Sequence, residues 1–173
     1  MTPTNSMHSI CDFPRQFYHG SSELFTQFEY RRCASNPIFG RGIYLTQEHE
    51  VARCYYRPGG AIYRVEVDAD PRYTINLETT IADQSYEARL RIQFLLREAG
   101  KQMPPQTTKA WDALDSVRDV MTLNQRNFRL GALGVWMIYG HMPANCHSGM
   151  CDNGVHYVLL RESKVSSLAP INI

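Results

Sequence analysis

The sequence predicts an α+β domain on three observations: β-like runs near both ends of the chain, two amphipathic helical patterns between them, and a length suited to one core. At 173 residues and 19.9 kDa, the chain fits one ordinary domain and leaves no room for a second of typical size. Residues 1–12, rich in Ser, Thr, Pro and Asn, read as a mobile leader ahead of a single domain over 13–173.

Gln16 to Tyr18 is a short β-like run that halts at Gly20 and two serines. Ile43 to Leu45 is a second, entered through the Gly-rich turn Phe39-Gly40-Arg41-Gly42. Thr46 can cap the segment that follows, with Glu48 and Glu50 in the first turns, where a helix dipole favours anions. That helix should run to about Tyr56 and stop before Arg57-Pro58-Gly59-Gly60. Ala61 to Asp68 alternates Ile62, Tyr63, Val65 and Val67 with polar partners, the pattern of a strand covered on one face. Within Tyr86 to Ala99, Ala88, Ile92, Leu95, Leu96 and Ala99 stand at helical spacing, ended by Gly100; Trp111, Leu114, Val117 or Val120, and Met121 mark another helix. Leu130 to Tyr139 is apolar and partly aromatic, His156 to Leu160 is β-branched or apolar, and a last short strand near Val165 follows Arg161-Glu162-Ser163-Lys164. The first and last strands can then meet in one sheet around a helical middle.

Lysine plus arginine total 18 against 17 aspartate plus glutamate, so the chain lacks the basic field of a nonspecific nucleic-acid binder. No apolar run approaches the roughly 20 residues that cross a bilayer, and the start MTPTNSMHSI has neither a basic region nor an apolar stretch. The expectation is a protein with neither nucleic acid nor membrane as partner, cytoplasmic or exported into a host cytosol without a Sec signal. Leaders of this composition occur on bacterial effectors and on ordinary frayed termini alike. The cysteines Cys11, Cys33, Cys54, Cys146 and Cys151, an odd number without a secretory signal, argue against a disulfide framework and for a reducing compartment.

Chemistry concentrates in Ile38-Phe39-Gly40-Arg41-Gly42-Ile43-Tyr44-Leu45-Thr46, followed by Ala52 and Tyr55 on a helix. Gly40 and Gly42 let backbone approach a ligand closely, and Tyr44 and Tyr55 can offer aromatic faces to a flat cationic ring. The plainer alternative is a tight turn with both tyrosines half-buried. In Phe17-Tyr18-His19-Gly20-Ser21-Ser22, the imidazole can bond a sugar hydroxyl and the glycine backbone a carboxamide; alone, such a histidine also suits a structural role.

Together these two elements resemble the ADP-ribosyltransferases of the diphtheria-toxin and poly(ADP-ribose)-polymerase branch. Tyr18-His19-Gly20-Ser21 and Phe39-Gly40-Arg41-Gly42-Ile43-Tyr44-Leu45 stand where that family carries Tyr-His-Gly-Thr/Ser and Phe-Gly-x-Gly-Ile-Tyr-Phe. The resemblance covers Gln16 to Val67 and returns at Val155 to Val165; from about Asp70 to Asn145 nothing matches. It implies a split, mostly antiparallel β-sheet with a helical insertion and NAD⁺ as substrate, with no metal required. His19, Gly20, Ser21 and Gly42 would fall in the NAD site, with Tyr44 and Tyr55 stacking on the nicotinamide. Ala52 falls where the family has a carboxamide-bonding serine, so that contact is missing.

The register of the last strand puts His156 where the polymerases carry the catalytic glutamate. A carboxylate there stabilises the oxocarbenium character that develops as nicotinamide leaves; neutral imidazole can hold a hydroxyl but adds no negative charge. The resemblance therefore implies transfer of one ADP-ribose to a protein acceptor rather than chain elongation, with His19, Tyr44 and His156 in the reactive centre. Three alternatives stand beside it: an NAD glycohydrolase, an inert module that keeps the pocket, and a zinc-stabilised interaction domain. Asp152 and Glu162 are candidate substitute carboxylates.

Arg31, Arg32 and Arg41 surround the Gly-rich turn, and Arg32 is the candidate for the pyrophosphate, against a reading as solvated surface charge. His141, Cys146, His147 and Cys151 are zinc-ligand types at an unusual spacing, against reduced cysteines in a packed loop.

Overall fold

The computed structural model describes residues 13–33, 35–36, 38–141 and 154–171. Along them run β1 (Gln16–Ser21), β2 (Ser35–Asn36), β3 (Gly40–Arg41), β4 (Ile43–Leu45), α1 (His49–Arg53), β5 (Ala61–Val67), β6 (Thr74–Asn76), α2 (Tyr86–Glu98), α3 (Ala110–Asp115), α4 (Leu123–Ala132), β7 (Met137–His141), β8 (Val155–Leu159) and β9 (Val165–Ile171). The expected leader over 1–12, and Cys146, His147, Cys151 and Asp152, lie outside the described residues.

The architecture is α+β with mostly antiparallel pairing. One sheet has the order β1-β5-β9, a second β4-β8-β7-β6, and β2 with β3 forms a small hairpin. The β6–β7 pair runs parallel. First and last strands do share a sheet, flanking β5. The period-2 pattern sorts the side chains of the four-stranded sheet. Ile43, Leu45, Met137, Tyr157 and Leu159 join Phe17, Tyr63 and Val65 in an apolar layer between the two sheets. Ile138 and Val158 face the other way, onto Ile92, Leu95, Leu114 and Leu130 of the helical layer.

α2 forms where its spacing predicts, with the Ser85 hydroxyl accepting from Ala88 N at 3.0 Å and a left-handed Gly100 (φ 70°) beyond its end. Burying Ile92, Leu95 and Leu96 contributes about 1.5–3 kcal/mol for each side chain.

Several expectations change. β1 does not halt at Gly20; it pairs with β5 through Ser21, where Gly20 stands opposite Ile62. α1 is shorter than expected: its regular turns end at Arg53, and Cys54, Tyr55 and Tyr56 follow as tighter i→i+3 turns. Thr46 accepts from Glu48 N without capping α1, whose N-cap is Glu48. The helix expected through Met121 stops at Asp115; Val117 is buried, whereas Val120 is exposed. The apolar run from Leu130 to Tyr139 is the end of a third helix of this middle region, α4, followed by a turn and β7. Finally, Cys54 is disulfide-bonded, against the expectation from the odd cysteine number; cysteine number and compartment carry no information on which thiols the fold brings together.

Candidate functional site

The two sheets are joined through Tyr18 and Thr46, which exchange backbone hydrogen bonds of 2.7 and 3.0 Å. In an antiparallel register Gly20 would next face Tyr44, yet no backbone bond joins them. His19 intervenes: its Nδ1 lies 2.8 Å from the Tyr44 carbonyl oxygen. The strands part there, and a cleft of about 770 Å³ opens between them.

All nine sequence-designated site residues line this cleft. β1 supplies His19, Gly20 and Ser21; the Gly-rich turn and β4 supply Gly42 and Tyr44; α1 and the turn after it supply Ala52 and Tyr55. Arg32 lines it from the segment between β1 and β2, and His156 from β8. Arg31 and Arg41 are not among the lining residues.

Each position has a structural cause. A carbonyl oxygen only accepts, so the His19–Tyr44 bond requires Nδ1 to carry the proton, leaving the Nε2 lone pair as an acceptor. Burial lowers the His19 pKa below 6.5, opposed by the bond to the Tyr44 backbone, so the neutral form prevails at neutral pH. Phe28 and Phe25 contact the imidazole edge-on, with centroids 5.0 and 5.8 Å away. Because Tyr18 spends both backbone groups on Thr46, ladder alternation turns the N–H and C=O of Gly20 the same way, away from β5 and toward the parting of the strands.

The glycines answer chiefly to packing. A methyl group at Gly20 would stand 1.9 Å from the Ala52 carbonyl oxygen, and one at Gly42 would stand 2.3 Å from Val158 Cγ1. Gly40 adopts φ +84° beneath the Leu123 carbonyl of α4. Tyr44 is half-buried, its ring 6.4 Å from Phe39 and its hydroxyl donating to the Gly40 carbonyl. Tyr55, 44% exposed, stands at the cleft wall.

His156 is buried at 3% exposure, with its ring 5.9 Å from that of Phe39. Among the described residues the carboxylates lining the cleft are Glu23 and Glu29, both exposed, and Glu29 lies 3.8 Å from Arg32. Glu162 is no substitute carboxylate in the cleft. Its Oε2 accepts from Tyr30 N at 2.5 Å, fastening the short turn Tyr30–Arg32 that carries Arg32. The nearby Cys33 thiol is pushed up to about 11 by burial, with the Glu162 charge adding to it, which makes it a poor nucleophile. His141 pairs with Glu78 at 2.9 Å, and no metal-ligand group occurs among the described residues. Among them, too, no helix is long and apolar enough to cross a membrane.

Two residues that sequence reading missed lie behind the cleft: Arg126 (4% exposed) and Asn127 (0%), both on α4. Asn127 Nδ2 donates to the carbonyls of Phe39 (2.7 Å) and Arg41 (2.9 Å), and an Arg126 terminal nitrogen donates to Phe39 O at 3.0 Å. Burial holds the Arg126 pKa down to about 10. The available signal was the Thr122-x-x-Gln125 capping box, reciprocal here, which places the start of α4.

Comparison with protein-family models, with curated proteins and with solved structures finds no match to this chain.

Proposed function

We propose that the cleft binds NAD⁺ and that the protein transfers a single ADP-ribose from it to a protein acceptor, releasing nicotinamide. The observation that carries this reading is the convergence of two short motifs, separated in sequence, on one cleft at the parting of two sheets. The fold is read, on the same basis, as that of an ADP-ribosyltransferase with a split sheet.

In this reading the nicotinamide ring lies against Tyr44 and Tyr55, its carboxamide pairs with the Gly20 backbone, and His19 Nε2 accepts from a ribose hydroxyl. Arg32 meets the diphosphate. The glycosidic C–N bond breaks with its electron pair leaving on nicotinamide, which departs neutral, and the acceptor nucleophile attacks the ribosyl carbon. Buried His156 supplies a hydrogen-bonding group but no negative charge to the developing oxocarbenium ion. That feature favours a second reading, in which the cleft binds NAD⁺ without cleaving it.

Incubation with NAD⁺ and protein lysate, followed by quantification of nicotinamide and mass spectrometry of modified peptides, tests both. Nicotinamide release with modified protein supports transfer, and release without modification indicates a glycohydrolase. Binding without release leaves the inert module, whereas absence of binding eliminates both NAD⁺ readings.

A further inference from the structure

Three successive carbonyls in the Gly-rich turn are all taken by side chains from elsewhere. Phe39 O receives Asn127 and Arg126, Gly40 O receives the Tyr44 hydroxyl, and Arg41 O receives Asn127 together with the Tyr30 hydroxyl at 3.1 Å. Among the described residues the β2–β3 hairpin pairs Ser35 with Arg41 and Asn36 with Gly40, and these side chains from α4 and the flanking segments add to its hold on the turn. A fully buried amide whose one –NH₂ bridges two carbonyls fixes their separation. Arg126 fixes that amide in turn, since its Nε and a terminal nitrogen lie 3.2 and 3.0 Å from Asn127 Oδ1. Gly40 O, between the two bridged carbonyls, is the anchor of the Tyr44 hydroxyl.

We propose that Asn127, held by Arg126, is a positioning residue that sets the pose of the Tyr44 ring through the Phe39–Arg41 turn, and so sets affinity for the nicotinamide end of NAD⁺. The inference rests on the NAD⁺ reading of the cleft. Neither residue lines the cleft, and the hydrogen bonds they make connect them to it through the turn.

The test is Asn127→Asp, which keeps volume and offers Arg126 an anion, but presents oxygen instead of –NH₂ to the two carbonyls. In wild type, nicotinamide release and calorimetric NAD⁺ binding are measured first. The variant is expected to raise KM and Kd for NAD⁺ about tenfold with kcat within about twofold. Simple loss of folded protein would instead lower apparent kcat at constant KM. Tyr44→Phe removes the other arm of the same linkage, so the double variant should lose less than the product of the two single effects. Where Asn127→Asp does not fold, Arg126→Leu, which removes the hold on Oδ1, is expected to raise Kd about threefold. An active wild type with unchanged KM and Kd in the folded variant, or with strictly multiplicative effects, overturns the positioning role alone. A wild type that neither binds nor cleaves NAD⁺ overturns the reading of the cleft and this inference with it.

Discussion

Gly20→Ala reads stability and binding in one substitution. The added methyl would lie 1.9 Å from the Ala52 carbonyl oxygen, 2.9 Å from its carbonyl carbon and 3.0 Å from Tyr55 Cβ. Two of these atoms are backbone, so no rotamer change relieves the clash; α1 must retreat from β1 by at least about 1 Å. Overpacking of this kind costs about 1–3 kcal/mol, and for a chain of this length each kcal/mol lowers Tm by about 2–4 °C, so calorimetry should show a drop of about 2–12 °C. The same displacement carries Ala52 and Tyr55 off the cleft wall. Misplacement by about 1 Å can cost about a hundredfold in activity, so kcat/KM for nicotinamide release should fall to about that extent. Gly100→Ala is the control: nothing lies within 4 Å of its added methyl, and the cost comes from φ +70°, about 1 kcal/mol. It should lower Tm and leave NAD⁺ affinity intact. A folded Gly20→Ala protein with unaltered Tm and unaltered affinity would refute the packing argument.

Tyr44→Ala should weaken NAD⁺ binding by about 1–2 kcal/mol if the pyridinium meets the ring face, as isothermal titration would show; unchanged affinity in the folded variant removes Tyr44 from the site. For His19, burial sets the folded pKa below 6.5, so the unfolded chain takes up the proton more readily. Its contribution to stability is therefore complete above about pH 6.5 and is lost as pH falls from there toward the folded pKa. Protonation also removes the Nε2 acceptor and adds a positive charge beside the pyridinium, so NAD⁺ affinity should fall over the acidic range. His19→Gln should flatten the pH dependence of both Tm and Kd; an unchanged slope would assign it to other groups.

How far the sequence discloses this molecule depends on the range of the forces at each position. β5 was legible because its alternation reports directly on a half-buried strand, and α2 because spacing and cap agree. β1 was cut short because a glycine inside a strand reads as a breaker, whereas Gly20 is demanded by α1, whose carbonyl arrives from Ala52. β6 has three residues and draws its order from a parallel partner far along the chain. At the cleft, His19, Gly20, Tyr44 and Tyr55 were picked out by motif resemblance, not by composition. Asn127 and Arg126 gave no such sign, because the carbonyls they hold lie 86 to 88 residues away and a polar pair on a helix ordinarily reads as its solvated side.

The junction at Tyr18 and Thr46 is narrow, a single pair of reciprocal backbone bonds, while Phe17, Leu45, Tyr63 and Tyr157 fill the space behind it. Altering the bulk of Phe17, Tyr63 or Tyr157, none of which lines the cleft, is therefore expected to shift β1 against β4 and with them the opening in front.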